Sequence, residues 1–413
     1  MGRENAVLTV KDGNNMERPT PYFEINESKL QRDFDKLTTS LKENWSNYRI
    51  GYSFKTNSLP WLVRFYQKQG VSAEVVSQDE YSLARYMEFR DDEIIYNGPY
   101  KSRQSFRDVV LAGGIVNMDS QFELDWLTEL SKEYPEKTLN VGIRVNFNLE
   151  AMCPGETTMG EESGRFGYSY EDGTFAKILE QVRAIPNVRV NGIHLHSSSK
   201  SRSVAIFKSI ADMACRLKRE FQLCLDYVDI GGGYCGGLKG RPEFPDYFPV
   251  VAEVLSEEFK PEETTLVVEP GISLLSSATT FTTSIIDVRD IRGSRYLISD
   301  GSRFNIDATM IKNSYLYHTE LQSGKERKIM ENQTITGYTC VECDRLFEMK
   351  DLPELFVGDR IVYENVGGYT LSLNPLFIQY FPDVYVNKGE ETVKVREKWT
   401  PKEYVQNCVW ERK

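Results

Sequence analysis

The chain has 413 residues, 40% hydrophobic and 27% charged, which is enough length for two or three domains with a large core. Its net charge of −11 argues against nucleic acid and anionic membranes as general partners. No apolar run reaches about 18 residues, and residues 1–20 lack a signal-peptide core. The seven cysteines are scattered rather than arranged as a disulfide framework, so we expect a soluble cytoplasmic protein.

The first half of the chain alternates between short β-branched segments and amphipathic segments. Residues 1–15 look like a loose leader, and residues 20–25 predict a strand before a helix that continues through Leu41. Eight further strands are predicted at 48–54, 73–77, 93–97, 115–118, 139–146, 189–196, 225–230 and 264–269. Because a helix-like segment follows nearly every strand, the pattern predicts a TIM-like (β/α)8 barrel, with a doubly wound sheet as the second possibility.

After about residue 278 the pattern changes to strands without regular helices between them. The predicted strands are 279–288, 296–298, 334–339, 359–364 and 383–386. We therefore expect a barrel domain at residues 27–278 and an all-β domain, a β-barrel or sandwich, made of residues 1–26 and 279–413. The strand at 20–25 would join this second domain because it precedes the barrel.

The active site of such a barrel lies at the carboxyl ends of its strands. The first strand ends at Lys55, and a desolvated lysine is a good nucleophile, so Lys55 is a candidate Schiff-base lysine for pyridoxal phosphate. The alternative is a lysine that extends from the core to water. The other strand ends carry Ser77, Asn97, Arg144, His194, His196, Gly231 to Gly233 and Glu269.

The glycines at Gly231 to Gly233 follow an apolar strand, and their bare amides could cradle a phosphate. The stretch from Gly231 to Gly236 also matches the dinucleotide fingerprint GxGxxG. Three prolines and no helix start follow it in residues 238–249, and no ribose-binding acid comes about 20 residues later at a strand end, which argues against a dinucleotide. A plain flexible turn is the third reading.

Glu269 could keep a pyridine nitrogen protonated, or it could belong to a structural ion pair. His194 and His196 alternate along one strand and therefore face the same side. They could bind zinc, one could stack on a planar ring, or both could be core residues. The pair Cys340 and Cys343 alone is a weak zinc signal, and we predict no metal.

Taken together, these residues resemble the fold-type III pyridoxal-phosphate decarboxylases, the family of ornithine, arginine, lysine and diaminopimelate decarboxylases, over residues 22–380. The barrel of that family is the one found in alanine racemases. The motifs that carry the resemblance are FKTN at 54–57, AEVVS at 73–77, SGRFG at 163–167, GIHLH at 192–196, DIGGG at 229–233, EPG at 269–271, SDG at 299–301, CVECD at 340–344 and GGYT at 367–370.

The resemblance implies a role for each of these residues around the cofactor. Lys55 would form the internal aldimine, His196 would stack on the ring, and Glu269 would contact the pyridine nitrogen. The glycines Gly231, Gly232 and Gly233 would hold the phosphate together with Ser199 and Tyr369. Glu74, Arg144 and Gly271 would lie around the cofactor.

The resemblance also implies a homodimer in which the β-domain of one subunit completes the site of the other. The substrate would form an external aldimine and lose CO2. Cys340, the residue that does so in the family, or else Lys55 would then return a proton to the carbon. Asp300 and Asp344 would contact the substrate, and Arg303 and Lys312 are the cations nearest to the place of a substrate-binding arginine found in diaminopimelate decarboxylases.

Several departures from the family pattern fall at the substrate end. Ile272 stands where the family has an arginine that meets the phosphate or the substrate carboxylate. Val341 stands where the family has an acidic residue, with Glu342 one step later on the opposite face of an extended chain. Ser198 replaces a glycine. We therefore expect a decarboxylase with a non-standard amino-acid-derived substrate in a specialised biosynthetic pathway.

Three rival functions remain open. An amino-acid racemase or epimerase uses the same barrel and cofactor, but it resembles alanine racemases, which place a tyrosine opposite the lysine rather than a cysteine. An inactive regulatory homologue would be consistent with the loss of arginine at Ile272. A nicotinamide-dependent oxidoreductase would need the dinucleotide reading of the glycine turn.

Overall fold

A computed structural model of the chain describes residues 6–10, 18–238 and 240–409. It divides into two compact units, which we call the barrel unit, Arg32–Leu274, and the sheet unit, Met1–Gln31 with Leu275–Lys413. The strands are β1 (Ala6–Val10), β2 (Tyr22–Asn26), β3 (Tyr48–Ser53), β4 (Ser72–Ser77), β5 (Ile94–Tyr100), β6 (Ile115–Met118), β7 (Leu139–Asn146), β8 (Tyr168–Ser169), β9 (Val188–His194), β10 (Tyr227–Asp229), β11 (Thr265–Val268), β12 (Thr279–Ile291), β13 (Ser294–Ser299), β14 (Leu316–Leu321), β15 (Ile329–Thr336), β16 (Arg345–Pro353), β17 (Arg360–Glu364), β18 (Asp383–Asn387) and β19 (Thr392–Arg396).

The helices are α1 (Glu27–Asn44), α2 (Pro60–Gln67), α3 (Gln78–Tyr86), α4 (Arg103–Ala112), α5 (Gln121–Glu133), α6 (Leu149–Met152), α7 (Thr174–Arg183), α8 (Val204–Phe221), α9 (Phe244–Leu255), α10 (Ile272–Leu275), α11 (Arg303–Ile306) and α12 (Pro401–Tyr404).

Eight parallel strands of the barrel unit form a closed ring. The order is β3, β4, β5, β6, β7, β9, β10 and β11, and β11 pairs again with β3. The pairing of β6 with β7, through Asn117 opposite Gly142, leaves no open edge between the two halves. The predicted (β/α)8 barrel is therefore confirmed, and the doubly wound sheet is wrong. The two-residue strand β8 pairs with β7 and was not predicted.

Local side-chain bonds fix where the strands stop. The hydroxyl of Ser77 accepts the amide of Glu80 at 3.2 Å, and the Glu80 carboxylate accepts the amide of Val76 at 2.8 Å. The first bond satisfies an orphan amide at the start of α3, and the second ties the end of β4 to that helix. The carboxyl end of β4 is thereby held in one conformation.

A cluster of aromatic side chains supports the glycine turn after β10. Tyr234, in that turn, stacks on Phe207 of α8 with ring centroids 4.3 Å apart. Phe244, Tyr247 and Phe248 of α9 contact the same tyrosine ring at centroid distances of 5.8, 5.2 and 5.5 Å. Such buried aromatic contacts rigidify the turn that follows the strand.

The sheet unit is built on ten paired strands. The main path is β1, β14, β17, β12, β13, β15 and β16, while β2 pairs with β12 and β18, and β18 pairs with β19. Strand β2 lies antiparallel to β12, with Phe23 opposite Phe281 and their ring centroids 4.5 Å apart. The expectation of a loose leader is wrong at residues 6–10, which form β1 against β14; its other residues, 1–5 and 11–15, lie outside the described residues. Strands β14, β16 and β19 were also not predicted.

Candidate active site

The carboxyl ends of the barrel strands bring eight polar side chains to one rim, as expected for this fold. They are Lys55 after β3, Glu74 in β4, Asn97 in β5, Asn117 in β6, Arg144 in β7, His194 in β9, Asp229 in β10 and Glu269 after β11. Except for Lys55, which is half-buried, all of them are buried. Burial of so many polar groups is costly unless they are paired, so their partners decide what the site is.

Asn97 joins two of the buried carboxylates. Its side-chain amide donates to Oε1 of Glu74 at 3.0 Å and to Oε1 of Glu269 at 2.5 Å. One amide nitrogen therefore holds in a fixed relation two carboxylates, one in β4 and one directly after β11, and both of these strands pair with β3.

Asn117 extends this network toward β10. Its amide donates to Oδ1 of Asn97 at 2.8 Å and to Oδ2 of Asp229 at 3.3 Å, and its own carbonyl accepts the hydroxyl of Tyr227 at 2.7 Å. Both Asn117 and Asp229 are fully buried. The polar interior of the barrel is thus a connected set of hydrogen bonds rather than a group of separate pairs.

The three buried carboxyl groups differ in their affinity for protons. Burial raises the pKa of Glu74, although the Lys55 charge opposes this, and burial with the neighbouring Glu269 charge raises the pKa of Asp229 well above its usual range. Burial alone would also raise the pKa of Glu269, but His194, a hydrogen bond from Asp229 and His196 together lower it. Glu269 is therefore the most acidic of the three carboxyl groups and is ionised.

Lys55 follows β3 on a single helical turn at 54–56. Its positive charge opposes the burial effect on the pKa of Glu74 and adds to the lowering of the pKa of both His194 and His196. The Lys55 ammonium therefore lies within electrostatic reach of the acid and the two imidazoles.

The two histidines lie with nearly parallel rings, their centroids 6.2 Å apart and their planes 13° from parallel. Nδ1 of His196 accepts the amide of Gly232 at 3.2 Å, which requires that nitrogen to be unprotonated. Burial, then the charges of Lys55 and Arg144, lowers the pKa of His196 well below its usual value. His196 is therefore a neutral ring fixed by the glycine turn.

His194 lies deeper, and its Nε2 is 3.5 Å from Oε2 of Glu269. Ligand atoms of His194, Asp229 and Glu269 lie within 4.8 Å of one another, which is the one cluster among the described residues with potential metal ligands at such a spacing. The zinc alternative drawn from the sequence would thus involve one histidine with two carboxylates, rather than the His194 and His196 pair.

Arg144 is held by an ion pair with Asp119 at 3.0 Å and lies over the ring of Phe166, 4.7 Å from its centroid. The second oxygen of Asp119 accepts the amide of Gly167 at 2.7 Å. Asp119 therefore ties the arginine of β7 to the 163–167 segment.

The glycine turn allows a close approach that other residues could not make. A Cβ on Gly231, whose φ is +68°, would lie 2.5 Å from the ring of His196, and a Cβ on Gly232 would lie 2.0 Å from the carbonyl oxygen of Glu269. Likewise, a Cβ on Gly271 would lie 2.2 Å from Oγ1 of Thr56. Larger residues at these positions would push apart the strand ends that carry the site.

Ser199 belongs to a serine-rich loop after β9. Its hydroxyl donates to the carbonyl oxygen of Glu156 at 3.2 Å and accepts the amide of Arg202 at 2.9 Å. Ile272, at the place of the missing arginine, is a half-buried apolar side chain at the start of α10.

In the sheet unit, Asp344 is buried and accepts hydrogen bonds from its own surroundings. Its Oδ1 accepts the hydroxyl of Ser302 at 3.1 Å and the amide of Arg303 at 2.9 Å, and its Oδ2 accepts the hydroxyl of Thr339 at 2.6 Å. Asp344 therefore fixes the loop that carries Cys340, and its contact with substrate stays a prediction.

Asp300 and Arg303 are similarly engaged within the sheet unit. Asp300 accepts the hydroxyl of Thr20 and the amide of Ser284. The guanidinium of Arg303 donates to Asp307 at 3.0 Å and to the carbonyl oxygen of Lys312 at 3.1 Å. Both residues organise loops of this unit.

The remaining predicted residues of the sheet unit are more accessible. Cys340 and Cys343 are free and exposed, and the carboxylate of Glu342 is fully exposed at 3.6 Å from Arg345. Tyr369 is half-buried, and its backbone φ is +65°, a conformation that residues other than glycine rarely adopt.

Asn117, Asp119, Tyr227 and Asp229 are structural members of the site that the sequence analysis did not assign. Asn117 stands in the apolar segment Ile115–Met118, and Asp229 ends β10 two residues before the first glycine of the turn. A polar residue inside a buried strand requires a partner, and that was the available signal.

The closed barrel, with its lysine, neutral histidine and ionised carboxylate at the strand ends, is the architecture of a cofactor-dependent barrel enzyme. The model of the family described as "Pyridoxal-dependent decarboxylase, pyridoxal binding domain" matches residues 27–276. The chain therefore belongs to the pyridoxal-dependent decarboxylases. It is a carboxy-lyase that uses pyridoxal phosphate and acts on an amino-acid-type substrate, as the resemblance predicted.

Individual relatives are distant. A diaminopimelate decarboxylase from Methanocaldococcus jannaschii is 23% identical over 372 residues, covering 86% of this chain and 83% of the relative. An L-glutamyl-[BtrI acyl-carrier protein] decarboxylase from Niallia circulans is 24% identical and covers 86% of each chain. The crystal structure of the M. jannaschii diaminopimelate decarboxylase has a TM-score of 0.82 at 21% identity, over 95% of this chain and 92% of that one. At this identity the structural likeness shows the shared fold.

The barrel residues fit a polar, phosphorylated cofactor. Several buried polar atoms have no hydrogen-bond partner in the described chain, among them Nδ1 of His194, Oε2 of Glu74, Oγ of Ser273 and the hydroxyl of Tyr234. They lie in β4, in β9, in the turn after β10 and in α10, and orphaned buried groups of this kind require a ligand or water. None of the described helices is long and apolar enough to span a membrane.

Proposed function

We propose that the chain decarboxylates an amino-acid-derived substrate whose end distant from the α-carbon differs from that of ordinary family substrates. The network that holds Glu74, Asn97 and Glu269 beside Lys55 carries the cofactor part of this proposal. Ile272 and Val341 carry the substrate part, because neither can form the ion pairs of the residues that the family places there.

Bound pyridoxal phosphate supplies a ring that accepts the electrons of the bond broken on CO2 loss. In this proposal Lys55 bears the cofactor, and the ionised Glu269 keeps a proton on the ring nitrogen. The neutral ring of His196 offers a flat face for stacking. The amides of Gly231 to Gly233, with Ser199 and Tyr369, would hold the phosphate, and Gly271 would lie beside the cofactor.

Substrate placement decides which bond breaks, because the bond perpendicular to the ring is the one that is weakened. Arg144, fixed by Asp119, and Glu74 would shape the space around the ring. Asp300, Arg303, Glu342 and Asp344 are proposed for the substrate end, and Cys340 for returning a proton to the carbon.

The assembly proposed here is a cytoplasmic homodimer that shares its sites. The exposed thiol of Cys340 is consistent with a residue that acts on the substrate of a partner subunit. The resemblance to the family is the support for this arrangement.

The test is the absorption spectrum of the purified protein beside Lys55→Ala and a control variant, Lys42→Ala, at an exposed lysine of α1. The wild type and the control should show a visible band that borohydride removes, and Lys55→Ala should lack it. CO2 release should then be measured with free L- and D-amino acids and with aminoacyl thioesters, since one relative acts on a carrier-bound glutamyl group.

The outcomes separate the rival functions. Inversion of configuration without CO2 release would indicate a racemase or epimerase. A protein that binds the cofactor but turns over none of the substrates, including those of other family members, would favour the regulatory homologue. Ordinary family rates on diaminopimelate, ornithine, lysine or arginine would refute the non-standard substrate.

A further inference from the structure

The loop between β9 and α8 is rich in hydroxyl groups and cations. Residues 197–203 read SSSKSRS, and within them Ser199 pairs with Thr157 through an isolated antiparallel bridge. The Ser199 hydroxyl accepts the amide of Arg202 at 2.9 Å, so this arginine is fixed next to a predicted phosphate ligand.

A single tyrosine hydroxyl connects Arg202 to the glycine turn. The hydroxyl of Tyr247 donates to the carbonyl oxygen of Arg202 at 2.6 Å and accepts the amide of Cys235 at 3.1 Å. The hydroxyl oxygen of Tyr247 thus bridges the main chain of the serine-rich loop and the main chain of the glycine turn. Tyr247 is itself buried in the aromatic cluster below the turn, which makes this link rigid.

The main chain of Arg202 adopts φ of +52°, in the left-handed region. Residues other than glycine rarely occupy this region, and they remain there when the surrounding structure holds them, often at ligand sites. The bonds from Ser199 and Tyr247 are what hold Arg202 here.

The guanidinium of Arg202 has no carboxylate partner among the described residues, whereas that of Arg144 is paired with Asp119. Burial raises the pKa of Tyr247, and the positive charge of Arg202 is one of the effects that oppose this rise. The Arg202 guanidinium therefore lies within electrostatic reach of the Tyr247 hydroxyl, which accepts the hydrogen bond from the Cys235 amide.

A phosphate dianion needs a cation in addition to amides and hydroxyls, and a guanidinium is well suited to bind it. Position 272, where the family would supply one, is isoleucine here. Ser273 beside it is 1% exposed, and its hydroxyl has no partner in the described chain. The Ser273 main chain packs against Gly236, where a Cβ would lie 2.2 Å from its carbonyl oxygen. The orphaned hydroxyl thus lies at the same turn.

We infer that Arg202 binds the phosphate group of pyridoxal phosphate and replaces the arginine absent at position 272. This inference rests on the proposed cofactor site and adds to it a phosphate ligand specific to this chain. Ser199, Ser273 and the glycine turn supply the neutral donors, and Arg202 supplies the charge.

The test compares the binding of two cofactors that differ only in the phosphate. Dissociation constants of pyridoxal phosphate and of pyridoxal should be measured by absorbance titration of apoprotein for the wild type, Arg202→Gly and Arg202→Lys. Glycine removes the guanidinium and accepts the positive φ without strain. We expect Arg202→Gly to raise the dissociation constant of pyridoxal phosphate at least 10-fold and Arg202→Lys to raise it less. Pyridoxal should bind equally to all three proteins.

Two further proteins complete the design. Lys208→Ala, at an exposed lysine of α8 paired with Asp212, should leave both constants unchanged. Adding Ile272→Arg to Arg202→Gly should restore part of the lost affinity for pyridoxal phosphate. Equal weakening of both cofactors, or no weakening of either, would overturn the inference while the wild-type spectrum still supports the cofactor site. A wild type that binds neither cofactor would instead refute the proposed function.

Discussion

The candidate site residues of the barrel unit and those of the sheet unit differ in their surroundings. In the barrel unit, Glu74, Asn97 and Glu269 are buried and hydrogen-bonded to one another, with further atoms left for a ligand. In the sheet unit, Asp344 directs its carboxylate to its own loop, whereas Cys340 is exposed.

The cofactor residues that we propose in the barrel unit are thus fixed by their own contacts, whereas the substrate residues and proton donor that we propose in the sheet unit include the exposed Glu342 and Cys340. A fully connected polar network in a barrel interior fixes the position and protonation of each group before any ligand arrives. Exposed groups on a loop gain their position only from what they contact. Val341, the departure that lies in the sheet unit, is on the same exposed loop as Cys340. In our proposal, substrate choice therefore depends partly on residues that can change without disturbing the barrel network.

The largest loss of activity is expected when the charge of the Glu269 carboxylate is removed. Glu269→Gln keeps an oxygen that accepts the Asn97 amide but removes the charge, so kcat should fall on the order of 100-fold. Glu74→Gln is the matched control, because burial already shifts Glu74 toward its neutral form. We expect this second change to lower kcat less than 10-fold. Similar losses in the two variants would mean that the network does not distinguish the carboxylates.

The strand ends were predictable from sequence because parallel barrel strands have a regular pattern and end on recognisable residues. Lys55, His196 and Glu269 were found in this way. Asn117 and Asp229 were not, since their importance comes from contacts between strands that are about 110 positions apart, such as Asn117 with Asp229. The sheet unit was harder: β16 (Arg345–Pro353) is half exposed, carries charges on both faces and ends in proline, so its sequence lacks the alternation of a buried strand.

A smaller and more selective effect is expected on the exposed loop of the sheet unit. Cys340→Ala should lower the rate of product formation about 10- to 100-fold, because proton return to the carbon loses its donor. The cofactor spectrum should be unchanged, since no barrel residue is altered. The product should also incorporate solvent deuterium with reduced stereochemical selectivity.

Cys343 provides the control for that experiment. It is free, exposed and three residues away on the same loop, and the resemblance gives it no role. Cys343→Ala should keep both the rate and the selectivity of the wild type. If the two variants lose activity equally, the loop conformation rather than the Cys340 thiol is what matters.

The smallest effect is a pH dependence that belongs to the barrel unit alone. Burial raises the pKa of Glu80 to about 7 from an ordinary value of 4.5, although its bond to the Val76 amide opposes the rise. Between these pH values the folded state holds a proton that the unfolded state releases, so stability falls as pH rises through this range.

Glu80→Gln keeps an oxygen for the Val76 amide and cannot ionise. It should therefore gain on the order of 2 kcal/mol over the wild type at pH 8 but little at pH 5. Thermal unfolding of the holoprotein at the two pH values measures this difference. If the stability of wild type and variant changes equally with pH, Glu80 is not held neutral by the barrel. Because Glu80 caps the helix after β4, such a result would also weaken the argument that the strand ends are fixed in advance of the cofactor.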